Sequence, residues 1–347
     1  MKFTIFLTRD CNLRCNYCYE GTKEKLNMSF ETADKVINFI DERVKNNENL
    51  KNKTVKIVLH GGEPLLNQGV LKYIVEKLES IDEYDIVFDM TTNGTILNSD
   101  ILTTLKKIHN ISVSIDGGHK VHDFNRVLKN GQGTFNIVKK NIEKMKSEGI
   151  KIRARGTYNS HTCSYLYDSV NNISHLGVEC IVMHPDISDE NWSNESFDTI
   201  FSQIKKIFGD DELKNRCEYI SPIEIYDFGH QKGSCFGGMT EFAIDYNGDL
   251  YPCTMSVAHE EFLIGSLWTN YLNEEKIEQL LRLNRDNDIC NGCSRIKYCT
   301  GNRCKILNKL DTGNFFVPNG VRCELEKLEI KKYNYIKELK NKNDVLR

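Results

Sequence analysis

Six short runs rich in β-branched and apolar residues punctuate the first two thirds of the chain: KFTIFLT, TVKIVLH, DIVFDMTTN, ISVSID, KIRARGTY and CIVMHP. Longer stretches with helical spacing of apolar residues separate or follow them, clearest over 30–44, 70–81, 97–108, 135–148, 165–176 and 197–208. Such alternation predicts parallel strands joined by right-handed crossovers. It therefore predicts an α/β fold, an open or partial (β/α)6 barrel. Ser29 and Asn98 are placed to cap helices at their N-termini, and Gly149 and Gly177 to stop them. Around Cys217 the rhythm ends and Gly, Asn and Cys become frequent. This divides the chain into a domain over 1–215 and a smaller, irregular one over 216–347. The second is expected to contain a hairpin, EFAIDYNGDLYPC, turning at Asn247-Gly248, and to end in a charged helix from Glu324.

Polar motifs sit at the ends of successive strand-like runs. Cys11, Cys15 and Cys18, spaced C-x3-C-x2-C, follow the first. His60-Gly61-Gly62-Glu63-Pro64 follows the second, Thr91-Thr92-Asn93-Gly94 closes the third, and Ser114 and Asp116 close the fourth. In a parallel barrel these strand ends share one mouth. An iron–sulfur cluster takes four protein ligands, so three cysteines leave one iron open to a small molecule. The other readings are a three-cysteine zinc site or buried thiols. Gly61 and Gly62 would let the backbone approach a ligand closely, and Glu63 offers a carboxylate to an ammonium group.

Downstream lie Cys235, Cys253, Cys290, Cys293, Cys299, Cys304 and Cys323. Three of the thirteen cysteines, Cys163, Cys180 and Cys217, fall outside the spaced groups. With no signal peptide, such cysteine usage points to metal rather than disulfides and to a reducing cytoplasm. A zinc ribbon would explain only part of the array. A net charge of −3 gives no electrostatic reason to bind nucleic acid. No stretch approaches the roughly 20 apolar residues of a membrane span.

The cysteine loop, with Tyr17 before its last cysteine, resembles the signature of the radical S-adenosylmethionine (SAM) enzymes. The resemblance implies a 4Fe–4S cluster on Cys11, Cys15 and Cys18 whose open iron holds SAM. It implies cofactor contacts from Tyr17, Gly61, Gly62, Glu63, Asn93 and Ser114. His60, His122, Asp123 and Arg126 would line the same mouth in structural or substrate-positioning roles. The downstream array resembles the SPASM extension of radical SAM peptide-modifying enzymes, which implies two auxiliary 4Fe–4S clusters, three clusters in all. By that pattern Cys235, Cys253 and Cys304 hold the inner one, and Cys290, Cys293, Cys299 and Cys323 the outer one. Four residues separate Cys299 from Cys304 where the family usually has three, which weakens the place of Cys304.

Cys217 is the nearest candidate to complete the inner cluster; without it an open iron there could take a substrate thiolate. In anaerobic sulfatase-maturing relatives an Asp follows the cysteine matching Cys253; here Thr254 does, and a neutral hydroxyl is a poor base. Asp245 and Asp249, in a turn, are expected at the surface. The resemblance implies a peptide maturase acting on a peptide or small protein, with a thioether crosslink the favoured product. Formylglycine formation, epimerisation and C–C crosslinking are the rivals, and a non-catalytic iron–sulfur electron carrier the reading outside enzymes. An electron donor such as flavodoxin or ferredoxin is expected. The chain opens on its first strand, so leader recognition is expected from a separate protein, the SPASM region, or not at all.

Overall fold

The computed structural model describes the whole chain except residues 19, 22, 48–53, 225–232, 270 and 346–347, with helical side chains at the C-terminus described as far as 339. In chain order come β1 (Lys2–Phe6), α1 (Phe30–Lys45), β2 (Val55–His60), α2 (Gln68–Glu79), β3 (Ile86–Thr92), α3 (Ser99–Leu105) and β4 (Asn110–Ser114). Then follow α4 (His119–Asn125), α5 (Phe135–Ser147), β5 (Ile152–Tyr158), α6 (Leu166–Ser174), β6 (Cys180–Pro185) and α7 (Asn194–Gly209). All six expected strands form, each followed by a helix. Ser29 accepts from the Thr32 amide at 3.0 Å and Asn98 from the Ile101 amide at 2.9 Å, so both cap as expected. Gly149 and Gly177 take φ of +79° and +66° just past α5 and α6, a conformation glycine adopts without steric cost.

The remainder is more ordered than its composition suggests: α8 (Asp211–Asn215), β7 (Tyr219–Ile220), β8 (Glu241–Ile244), β9 (Asp249–Tyr251), β10 (Gly265–Ser266), β11 (Tyr271–Leu272), α9 (Glu274–Arg282), α10 (Thr300–Arg303), α11 (Lys305–Thr312) and α12 (Gly320–Val345). By contact the chain forms two compact units, Met1–Ser114 with Asp123–Arg153 and Phe236–Arg282, and Ile115–His122 with Ala154–Cys235 and Leu283–Arg347.

In the first unit the strand order is β11-β10-β9-β8-β1-β2-β3-β4. The five strands from β8 to β4 run parallel, while β8–β9, β9–β10 and β10–β11 are antiparallel. The expected hairpin is β8–β9, with Gly248 at φ +88°. Its first strand also lies in register beside β1, Phe3 opposite Phe242, and the two rings stack at 5.7 Å. One face of the sheet is covered by α1, which buries Ala33, Val36, Ile40 and Val44, and by α2, which buries Val70, Leu71, Ile74, Val75 and Leu78. Each Val, Leu or Ile side chain so buried contributes about 1.5–3 kcal/mol. The packing fixes β1–β4 side by side, so their C-terminal ends are brought together.

In the second unit β6 and β7 pair in parallel, Cys180 opposite Tyr219. Helix α12 packs on α7, with Tyr335 edge-on to Phe201 and Phe208. Here Asn287, Asn302 and Asn308 are buried and hydrogen-bonded to the backbone around the cysteine knuckles. Lys305 is buried among them, donating to the Asn302 carbonyl at 2.6 Å and to the Asn287 side chain. No described helix is long and apolar enough to cross a membrane.

Candidate functional site

The cysteine loop leaves β1 and is tied down along its length. Arg9 donates to the Leu26 carbonyl at 2.8 Å, Arg14 to that of Val127 at 2.8 Å and Asn16 to that of Asn125 at 3.1 Å. Lys129 pairs with Asp10 at 2.8 Å. Arg9 pairs with Asp245 at 2.7 Å across side chains only 13% and 7% exposed. The surface role expected for Asp245 is therefore wrong. Parallel pairing of β1 and β8 draws this turn beside the loop, where an unpaired Arg9 would be costly. Asp249 stays in the turn, accepting from Asn247.

The GGEP segment locks onto the same loop. Gly62 donates to the Thr8 carbonyl at 3.0 Å and Glu63 to that of Asp10 at 2.9 Å. A Cβ on Gly61, at φ +145°, would lie 2.6 Å from the Thr8 carbonyl oxygen, and one on Gly62 would lie 2.3 Å from that of Asp10. These glycines are needed for close approach to the cysteine loop's own backbone. The Glu63 side chain is fully buried. Its carboxylate accepts from the Leu65 amide at 3.0 Å, the Thr92 hydroxyl at 2.7 Å and the Asn93 amide at 2.6 Å. Burial pushes its carboxyl up to about 7, against the pull of those donors.

Asn93 links the third motif to the first. Its side-chain amide donates to Asn12 at 2.8 Å and lies 3.8 Å from Cys11 Sγ, while its oxygen accepts from Thr95. Ser114 is buried at the end of β4, one residue past the pair of Thr92 and Val113, which sets it beside Asn93 in register. Thus the cysteine loop, Glu63, Asn93 and Ser114 do gather at adjacent strand ends. Tyr17 is half-buried with the Arg126 guanidinium 5.2 Å over its ring.

The other expected mouth residues act within the fold. Asp123 caps α5, accepting from the Thr134 and Phe135 amides at 2.7 and 2.8 Å. His122 is fully buried, with Nδ1 3.4 Å from the Asp116 amide. His60 packs on Phe6 with Glu20 at 3.8 Å. Sequence reasoning missed Lys23 and Glu20, an ion pair at 3.0 Å whose ammonium also bonds Cys18. Charged residues scattered through an irregular loop carry no periodic signal that would single them out.

The donor set suits a thiolate-bound cluster. Burial pushes the Cys11 thiol up to about 11, so it stays protonated until a coordinating cation displaces the proton. The surroundings supply compensating donors: Asn93 at Cys11, Arg126 at 4.0 Å from Cys15 Sγ, and Lys23 at Cys18. Among the described residues no three His, Cys, Asp or Glu side chains converge as a single-ion site would require.

Of the downstream cysteines, Cys253 belongs to the first unit and the other six to the second. Ser256 bonds the Cys253 amide at 3.2 Å and reaches its Sγ at 3.7 Å. Thr254 turns its hydroxyl to Thr4 at 3.4 Å. In the second unit burial raises the Cys323 thiol, and the nearby thiols of Cys290 and Cys293 raise it further. Burial likewise raises Cys299, with Glu326 and Cys323 as charged neighbours, and Cys304, with Cys235 as neighbour. Cys323 is thus the common neighbour of Cys290, Cys293 and Cys299, and Cys235 stands with Cys304. Cys217 lies elsewhere in that unit: its Sγ is 3.5 Å from the Val178 carbonyl, and burial together with Cys180 pushes its thiol up to about 11.

A parallel α/β sheet with three thiols on the loop after its first strand is the setting expected of a cluster-binding site. Residues 5–163 match the Radical SAM superfamily and residues 235–294 the SPASM iron–sulfur cluster-binding domain. The chain belongs to the radical SAM enzymes with a SPASM extension, and carries a SAM-binding 4Fe–4S cluster plus auxiliary clusters. It is 31% identical over 184 residues to an uncharacterized protein of Methanocaldococcus jannaschii, covering 52% of this chain and 61% of that one. It is 24% identical to the cysteine-type anaerobic sulfatase-maturating enzyme of Clostridium novyi, covering 79% of this chain and 77% of that one. Native anSMEcpe with bound AdoMet and Cp18Cys peptide shares the fold, with a TM-score of 0.77 over 99% of both chains at 17% identity.

Proposed function

We propose that this chain is a cytoplasmic peptide maturase that forms a thioether crosslink in a ribosomally made peptide. In this reading Cys11, Cys15 and Cys18 hold the first cluster, with Tyr17, Gly61, Gly62, Glu63, Asn93 and Ser114 framing SAM. Cys290, Cys293, Cys299 and Cys323 hold the outer auxiliary cluster, and Cys235, Cys253 and Cys304 the inner one. When bound, these groups supply a 5′-deoxyadenosyl radical that removes hydrogen from a peptide carbon, an open iron that receives a substrate thiol, and a sink for an electron.

The chain's own part is positional. Glu63 and Asn93 hold the ends of β2 and β3 against the cysteine loop, and Arg126 covers Tyr17. The observation that carries the thioether reading is the seat of Cys217. Its thiol, beside Cys180 and directed at Val178, supports an inner set of three cysteines. Thr254, engaged with Thr4, adds no carboxylate base, which supports a product other than formylglycine although the relatives include sulfatase maturases. A flavodoxin or ferredoxin would serve as reductant, and a separate protein could deliver the leader.

The test is anaerobic co-expression with a small cysteine-containing peptide encoded beside the gene, followed by thiol alkylation and mass spectrometry. Loss of a hydrogen pair with one thiol protected from alkylation is expected. Replacement of the Cys side chain by an aldehyde, or unchanged mass with solvent deuterium at an α-carbon, would overturn the thioether reading.

A further inference from the structure

A groove of about 770 Å³ lies between α1 and the β9–β11 hairpins of the first unit, lined by none of the motif residues above. Lys35, Phe39 and Arg43, at i, i+4 and i+8, form its helical wall. Met239 and Tyr271 belong to the facing wall. Lys35 stands 4.7 Å over the Trp268 ring, and Arg43 stands 5.6 Å over Phe39 and 5.2 Å over Phe242. Both cations are half-buried. Glu42 is the one carboxylate among the described lining residues, and it is exposed beside them. Among the described residues neither Lys35 nor Arg43 has a carboxylate in ion-pair range, although the protein is rich in such pairs.

Two large apolar side chains of this groove have about half their surface open, Met239 at 49% and Tyr271 at 58%, as has Trp268 at 47%, which lies under the lining residue Lys35. Clustered exposure of this kind marks an interaction surface rather than scattered surface residues. Strand β11 ends the sheet order, with β10 as its one described neighbour. An edge strand, ring faces and half-desolvated cations together suit an extended chain, with backbone pairing for affinity and alternate side chains for selectivity.

We propose that this groove docks an extended acidic peptide segment, carboxylates toward Lys35 and Arg43 and apolar side chains toward Met239, Trp268 and Tyr271. Its natural source is the unmodified part of the substrate, a clause that rests on the peptide-maturase reading. Docking there would hold the substrate to the enzyme away from the reacting centre and raise the local concentration of the segment to be modified.

The experiment titrates the cluster-loaded enzyme, under anaerobic conditions, into a fluorescein-labelled peptide of alternating Glu and Leu and reads anisotropy. Saturable binding that weakens with added salt is expected. Lys35→Glu/Arg43→Glu should weaken it by about tenfold or more, with 5′-deoxyadenosine release unchanged, and Lys35→Gln/Arg43→Gln should fall between. In a Trp192→Phe background the remaining tryptophan, Trp268, should change its emission on peptide addition. Equal affinity in wild type and charge-reversed enzyme, equal binding of a Lys/Leu peptide, or an unmoved Trp268 signal would each overturn the docking site. Binding needs no turnover: an acidic peptide that docks normally while no substrate is crosslinked counts against the thioether reading and leaves the groove standing.

Discussion

Glu63 has more asked of it than any other single side chain. It is a carboxyl with no exposed surface, fed by two amides and a hydroxyl. Its folded-state value, about 7, exceeds the ordinary carboxyl value of 4.5. Between these values the folded chain holds a proton that the unfolded chain has lost. Stability from this group is therefore full below pH 4.5, declines as pH rises toward 7, and is gone above it. Across pH 6 to 8 the decline should be about 1 kcal/mol. Urea midpoints of wild type should drift down over that range, and those of Glu63→Gln should not. Glu63→Ala strands its buried donors and should cost about 2–4 kcal/mol near pH 6, and about 1 kcal/mol less at pH 8, where the wild type has lost the stability that its bound proton supplies. A midpoint within error of wild type for the alanine variant would mean that the three hydrogen bonds do not matter to folding.

At the scale of elements, the strand ends were legible and their fastenings were not. KFTIFLT, TVKIVLH and DIVFDMTTN announce parallel strands by composition, and cysteines, GGEP and TTNG mark which ends matter. The pairing of β8 with β1 had no local signal: Arg9 and Asp245 lie 236 residues apart, so a turn that reads as surface is buried by a partner outside any sequence window. Cutting the chain where the β–α alternation stops likewise hid that Phe236–Arg282 packs with the first strands. The glycines were visible, but their purpose was not, since a sequence does not say whether a ligand or a neighbouring backbone fills the space.

Two predictions belong here. Asp245→Ala leaves Arg9 half-buried without its partner and should cost about 3 kcal/mol in the urea midpoint. Gly62→Ala drives a methyl onto the Asp10 carbonyl and displaces the loop that carries the thiols; 5′-deoxyadenosine release should fall by about a hundredfold. Gly69→Ala is the control: its methyl would meet only Phe30 at 3.5 Å, an ordinary contact, and activity should hold.

For the whole molecule the decisive question is which thiols belong to metal and which to packing. All thirteen cysteines are free thiols in the fold, so burial alone does not sort them; neighbours do. Burial raises the thiols of Cys299 and Cys323, and among their neighbours Cys290 and Cys293 raise Cys323 while Cys323 raises Cys299. Cys235 does the same to Cys304, despite the extra residue between Cys299 and Cys304 that put its role in doubt. Cys217 pairs in this sense only with Cys180, at the start of β6. Cys163, Cys180 and Cys217, in packing roles, should tolerate a hydroxyl of similar size, whereas a ligand should not, because serine binds iron poorly in place of a soft thiolate. Anaerobically reconstituted Cys217→Ser should keep wild-type iron content, cluster absorbance and crosslinking. Cys304→Ser should lose iron and crosslinking while still releasing 5′-deoxyadenosine, since Cys11, Cys15 and Cys18 are untouched. If Cys217→Ser instead sheds iron, the inner cluster is closed by four cysteines, no iron is left there for a substrate thiol, and the thioether reading loses its structural ground.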